Sequence, residues 1–141
     1  MGSENTSASI TSLKPGSGYT FRIRPFVKDS SGVYYGKQSN ILSTPTVPEK
    51  GKITKVTKKK RSCTIKWRKR TGSGYQLMRS TNSKFKKNKK TYKIASYKKC
   101  SKKMKKLKRK KTYYVKVRSY KTFGGKTVYG TWSKTKKFKI K

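Results

Sequence analysis

The sequence predicts an all-β chain built as an antiparallel β-sandwich, and three observations predict it. Short segments alternate apolar and polar residues with period two, most plainly Tyr113-Tyr114-Val115-Lys116-Val117-Arg118-Ser119-Tyr120, the signature of half-buried strands. Turn signals rich in Gly, Pro, Ser and Asp separate these segments, and no stretch carries a helical period. The third observation is an internal match at an offset of 94 residues: Leu13–Arg24 aligns with Leu107–Arg118, and Tyr35-Gly36-Lys37-Gln38-Ser39 aligns with Tyr129-Gly130-Thr131-Trp132-Ser133. A period of about 100 residues is the size of one small sandwich domain, so the chain reads as a tandem array with a truncated first unit.

The elements follow in order. Residues 6–12, 19–27 and 33–46 read as three strands, with turns at Lys14–Gly18 and Asp29–Gly32. Pro45, Pro48 and Gly51 interrupt the pattern, and Thr44–Gly51 reads as a linker. This divides the chain into residues 1–47, holding only the last three strands of a unit, and residues 48–141, a complete one. In the second part Ile53 and Val56 begin the first strand, and Cys63-Thr64-Ile65-Lys66-Trp67 forms the next. Tyr75-Gln76-Leu77, Tyr92-Lys93-Ile94 and Cys100–Met104 follow. Tyr113–Tyr120 and the pair Thr127–Tyr129 with Phe138–Ile140 complete seven strands, and Gly124-Gly125 supplies a hairpin turn. Trp67, beside Ile65 on an alternating strand, is expected in the core.

Charge is distributed unevenly. The net charge is +39, of which residues 1–48 carry +3 and residues 49–141 carry +36, with Glu49 as the only acid of the second part. Mean hydropathy is -1.04, which alone would suggest disorder. Ten Tyr, five Phe and two Trp, placed mostly in alternating segments, argue for a folded domain with a thin core and a highly charged exterior. Lysine at alternate positions keeps an outer face wet and stops edge strands from pairing with other chains.

Several function classes find no support. His is absent, and Glu4, Asp29 and Glu49 are too scattered for an acid/base pair. No phosphate-binding glycine loop follows a strand, and no enzymatic activity or cofactor is expected. Cys63 and Cys100 are too few and too far apart for a zinc motif. They suit either a disulfide, if their α-carbons lie within about 7 Å, or two small buried hydrophobes; the lack of a second pair favours the latter. No run is long enough to span a membrane, and Met1 opens no signal-peptide pattern.

The residues resemble a fibronectin type III module. The carriers are Trp67 on the second strand, Tyr75 and Leu77 on the third, and Leu107 six residues ahead of Tyr113. Alternating Tyr113, Val115, Val117 and Ser119, then Tyr129-Gly130 and Trp132-Ser133, complete the set. The spacing of Leu107 and Tyr113, repeated by Leu13 and Tyr19, resembles the family's tyrosine corner, in which a buried ring returns its hydroxyl to nearby backbone. The resemblance implies an immunoglobulin-like sandwich over residues 49–141 and its last three strands over residues 6–46. The lysine load, Tyr129–Ser133 and Ser83-Lys84-Phe85-Lys86-Lys87 look like the fibronectin-type repeats of large bacterial surface and secreted proteins. That subtype implies an extracellular or cell-surface location, with a signal peptide lost through truncation and neighbouring domains of the same polypeptide as partners. The first copy departs from the pattern at Gln38, where the second has Trp132, and the Arg-Gly-Asp adhesion signal is missing.

Two groups of residues are candidates for binding. Lys98, Lys99, Lys102, Lys103, Lys105, Lys106, Lys108, Arg109, Lys110 and Lys111 form the densest basic run, which Lys58–Arg61 and Lys86–Lys90 would extend. Such charges attract polyanions in a salt-dependent way. With no recognition helix, zinc finger or aromatic platform, nucleic acid would be bound only nonspecifically, and an anionic wall polymer or glycan such as a teichoic acid satisfies the same charges. Trp132 falls beside the strand whose outward positions are Lys116 and Arg118, which suits a ladder of stacked cations and rings. The alternative for Trp132 is stacking on a sugar ring or a base, with Tyr120 as its companion for a specific carbohydrate. The expected function is thus a non-catalytic spacer with a lysine surface; a dedicated polyanion-binding module is the main alternative.

Overall fold

The computed structural model describes residues 7–140. It is all-β among those residues, and the principal body lies between Ile53 and Lys139. One sheet contains β5 (Ile53–Lys59), β6 (Ser62–Trp67) and β9 (Ser101–Met104), in the order β5-β6-β9. The other contains β7 (Gly74–Ser80), β8 (Lys90–Ile94), β10 (Thr112–Phe123), β11 (Lys126–Tyr129) and β12 (Lys136–Lys139). Its order is β11-β10-β7-β8, with β12 also on β10. All pairings are antiparallel.

Alternation decides what each strand buries. Cys63, Ile65 and Trp67 of β6 point inward, as do Tyr75 and Leu77 of β7 and Tyr113, Val115 and Val117 of β10. These side chains meet Ile53, Ile94, Met104, Leu107, Phe138 and Ile140 in one core. Trp67 is buried, and its ring meets Tyr75 edge-on at 5.4 Å, a favourable aromatic geometry. Between β11 and β12 the last strand leaves the regular ladder, but Gly130 N still donates to Ser119 O at 2.9 Å and Ser133 N to Val117 O at 2.8 Å. Ser133 Oγ accepts from Val117 N at 3.1 Å, so a side chain completes the backbone's pairing. The Gly124-Gly125 turn has φ of 53° and 71°, the left-handed pair that a tight hairpin of this type demands.

The N-terminal residues form β1 (Gly18–Phe21), β2 (Phe26–Asp29), β3 (Gly32–Tyr35) and β4 (Leu42–Pro45). β1 pairs with β4 and β2 with β3, giving a long interrupted hairpin. Three sequence expectations change here. Thr6, in the strand expected over 6–12, lies outside the described residues, and residues 7–12 have no strand partner; Ile10 is exposed. The strands expected over 19–27 and 33–46 each break in two. Pro25 brings no N–H to the ladder, and around it Ile23 N turns to Ser39 Oγ at 2.9 Å.

The hairpin repeats the bonds of β10–β12 at the same offset of 94 residues. Lys14 N donates to Tyr19 Oη at 2.9 Å, and Lys108 N donates to Tyr113 Oη at 2.9 Å. Gly36 N donates to Pro25 O as Gly130 N does to Ser119 O, and Ser39 N donates to Ile23 O as Ser133 N does to Val117 O. The hairpin rests on the near end of the sandwich: a Cβ on Gly18 would lie 2.4 Å from the Phe123 ring, so only glycine permits this approach. Its broad faces stay bare, with Ile23, Phe26, Val27, Tyr34, Tyr35, Ile41 and Leu42 all exposed.

The cysteines are not bridged. Cys63 stands opposite Met104 in the β6–β9 register, whereas Cys100 bonds through its carbonyl to Trp67 N. Four strand positions separate them, about 13 Å at the usual rise, beyond the reach of a disulfide. Burial pushes the Cys63 thiol up to about 11, against the opposing pull of Lys58. Cys100 instead lies 3.8 Å from Tyr75 Oη, and burial pushes that phenol up to about 12.

Candidate anion-binding surface

Antiparallel connectivity sends three loops to the end of the sandwich away from the hairpin. They are the β5–β6 turn, residues 81–89 between β7 and β8, and residues 105–111 between β9 and β10. None of the three contains an acid, and each is rich in lysine. Their backbones are held by bonds that leave the charged ends free. Leu107 is fully buried, and its N–H donates to Arg61 O at 2.9 Å, tying the third loop to the first. Lys110 N donates to Ile140 O at 2.8 Å. Ser80, fully buried, donates through Oγ to Lys87 O at 2.6 Å and accepts from Asn82 N at 3.0 Å, which closes the second loop.

This geometry divides the basic run seen in the sequence. Lys105, Lys106, Lys108, Arg109, Lys110 and Lys111 lie in the third loop, beside Lys58–Arg61 and Lys86–Lys90. Lys102 and Lys103 lie on β9, opposite Ile65 and Thr64. Lys98 and Lys99 lie in the β8–β9 loop at the opposite end, next to the Trp67 end of β6. The far pole is therefore assembled from three separated stretches of chain rather than from one run. The one ion pair among the described residues, Arg70 to Glu49 at 2.8 Å, lies at the near end. Asp29, the other described carboxylate, caps its own turn by accepting from Ser31 N and Gly32 N; Glu4 lies outside the described residues.

On β10, Lys116 and Arg118 both stand over the Trp132 ring. Lys116 Nζ lies 4.8 Å from the Trp132 ring centre and 4.4 Å from that of Phe85. Arg118 Cζ lies 4.4 Å from the Trp132 centre and 4.0 Å from that of Tyr129. Arg118 Nε also donates to Gln76 Oε1 at 2.8 Å. Burial, then the neighbouring Arg118 and Lys89 charges, lowers the Lys116 ammonium below its usual range; burial likewise lowers Arg118. Trp132 is half-buried and already carries two cations, and Tyr120 is buried beneath Lys93 and against Tyr129. The pair therefore offers no open flat platform for a sugar.

Sequence reasoning missed two members of this surface, Phe85 and Arg79. Phe85 completes the ladder from a loop whose conformation no short pattern encodes. In the core at the opposite end, Tyr75 Oη accepts from Arg70 N at 2.8 Å, a third use of the five-residue spacing seen in Lys14/Tyr19 and Lys108/Tyr113; that spacing was readable. Arg79 on β7 carries no local signal at all.

Among the described residues no three His, Cys, Asp or Glu side chains gather as a metal site, and no helix is long and apolar enough to cross a membrane. No protein-family model and no curated protein matches the sequence. Solved structures do match the fold. The FN1–FN3 domains of chicken CNTN1 superpose with a TM-score of 0.57 at 18% identity, over 92% of this chain and 45% of theirs. The FN5 domain of Drosophila Lar gives 0.53 at 17% identity over 67% of this chain and 97% of that one. A myokine structure gives 0.51 at 16% identity over 66% and 97%. The chain spans less than half the length of the CNTN1 fragment. The fold is that of fibronectin type III domains, an immunoglobulin-like β-sandwich with β5-β6-β9 facing β8-β7-β10-β11.

Proposed function

We propose that this protein is a fibronectin type III spacer from a larger bacterial surface or secreted protein, whose lysine-rich pole attracts anionic polymers. Residues 48–141 serve as a complete module, and residues 1–47 as the closing strands of a preceding one. The recurrence of the Tyr19 and Tyr113 bonds at an offset of 94 residues supports that division, and so do the bare faces of the hairpin. The mechanism is positional: the sandwich holds neighbouring domains apart outside the cell, and its charge adds delocalised attraction to wall polymer or glycan.

The observation that carries the attraction is the pole itself, three acid-free basic loops brought to one end of a rigid body. Backbone bonds and buried Ser80 and Leu107 fix the loops, so the side chains retain their charge without having to support the fold. Replacing about ten surface lysines with glutamine should leave the melting transition intact and lower the salt concentration at which the protein leaves an anionic matrix. Unfolding of that variant would contradict the reading.

A dedicated polyanion-binding module is the second reading, favoured by one basic recess described below. It predicts affinity that persists at about 0.15 M salt with a steep dependence; six to ten phosphate contacts would cost about 10³–10⁵ in affinity between 50 and 200 mM. A shallow, weak response would leave the spacer reading alone.

A further inference from the structure

We propose that the recess between β7, the β7–β8 loop and the β9–β10 loop is a built site for one tetrahedral oxyanion, a phosphate or sulfate group. This rests on the reading of the basic pole as polyanion-attracting and gives that pole a specific centre. The recess has a volume of about 260 Å³, and Arg79, Lys106, Lys108 and Lys111 line it together with Thr81 and Asn88. Four cations thus converge on one space with no carboxylate among its lining residues, an arrangement that repels itself until an anion enters.

Two features distinguish this recess from a solvated lysine patch. Arg79 lies with its guanidinium carbon 5.2 Å from the centre of the Tyr113 ring. Its Nε is buried and has no hydrogen-bond partner among the described residues. A buried guanidinium N–H without an acceptor is costly, and a guanidinium presents the fork that a phosphate or sulfate accepts in pairs. The neutral groups complete the set. Asn88 Nδ2 donates to Thr81 Oγ1 at 3.1 Å, which occupies a lone pair of that hydroxyl and leaves its own hydrogen to donate.

Two other basic recesses among the described residues lack this construction. The one bounded by Lys58, Lys59, Lys60 and Arg109 has only exposed cationic side chains. The cleft where the hairpin meets the sandwich contains Glu49, which already neutralises Arg70.

The test uses the full chain labelled with ¹⁵N and follows the Arg79 Nε–Hε resonance during titration with inorganic phosphate or sulfate, with chloride at matched ionic strength as control. The expected result is a saturable shift with either oxyanion and none with chloride. Polyphosphate and dextran sulfate then distinguish the two sources by which polymer competes at the lower concentration. Lys106→Gln with Lys111→Gln should weaken that polymer by about tenfold or more, the worth of one charge-assisted bond. Lys55→Gln with Lys66→Gln, exposed on the other sheet, removes equal charge and should weaken it less. Arg79→Lys keeps the charge, loses the fork and should abolish the saturable component. An unmoved Arg79 resonance while polymers still bind would overturn the site and leave the general attraction standing. Failure of both polymers to bind at 20 mM salt would overturn the attraction, and the Arg79 titration would then judge the site by itself.

Discussion

Ile23 and Val117 stand at equivalent places 94 residues apart, and the difference between their regions is instructive. Each donates its N–H to a serine Oγ, at 2.9 Å to Ser39 and 3.1 Å to Ser133. Each accepts the return bond from the same serine's N–H, at 2.7 and 2.8 Å. Arg24 lies 3.8 Å from the Tyr35 ring centre and Arg118 lies 4.0 Å from that of Tyr129. Yet Ile23 is 76% exposed and Val117 is fully buried. Hairpin geometry, down to its side-chain bonds, is local information. Burial is not, because it requires the opposing β5-β6-β9 sheet, and the hairpin has no counterpart of that sheet among the described residues. A two-stranded hairpin without such cover is marginal in water.

The largest effects should come from removing what only the sandwich possesses. Trp67→Ala should cost about 3–5 kcal/mol, read as a drop in the denaturation midpoint of the full chain. Val117→Ala should cost about 2 kcal/mol, while Ile23→Ala at the equivalent place should stay within about 0.5 kcal/mol. Similar losses at both positions would break the comparison. Next comes the ladder. Trp132→Ala removes two cation–ring contacts worth about 0.5–1 kcal/mol each, whereas Gln38→Ala removes only the bond that Arg22 Nη1 donates to Gln38 Oε1 at 2.9 Å on an exposed face. Smaller still, Tyr113→Phe leaves Lys108 N–H without its acceptor and should cost about 1 kcal/mol; Tyr19→Phe, in the bare hairpin, should leave the transition unmoved.

Alkaline pH sharpens the same contrast. The folded state raises Cys63 from 9.0 to about 11. Its stabilising contribution is thus complete below pH 9 and is lost as pH rises toward 11. Lys116 is shifted the other way and opposes this loss, so the informative quantity is the difference between the wild type and Cys63→Ala. That difference should change between pH 9 and 11 in favour of the variant. A constant difference would show that the thiol ionises as freely in the folded state as in the unfolded one.

Much of the fold was legible because period-two alternation reports burial directly. Cys63, Ile65 and Trp67 announced β6, and Tyr113, Val115 and Val117 announced β10. The N-terminal strands were less legible. Pro25 and the substitution of a serine hydroxyl for a backbone partner interrupt a pattern that otherwise runs on through 19–27. The basic pole was half legible. The run from Lys98 to Lys111 is continuous in sequence, but β9 carries its two ends to opposite poles of the sandwich. Lys58–Arg61 and Lys86–Lys90 reach the Lys105–Lys111 end only through the pairing of β6 with β9 and of β7 with β10. Arg79 was illegible for the same reason, since the lysines that share its recess, Lys106, Lys108 and Lys111, come from a loop distant in sequence.

Amide hydrogen exchange on the intact chain tests the central contrast most directly, by comparing Ile23 N–H with Val117 N–H. Both have the same partner type at nearly the same distance, so local hydrogen bonding predicts equal protection. The structure predicts that Val117 exchanges only through global unfolding and Ile23 through local opening, faster by orders of magnitude. Equal, strong protection of Ile23 would contradict it, and would mean that the hairpin's open face is covered in solution.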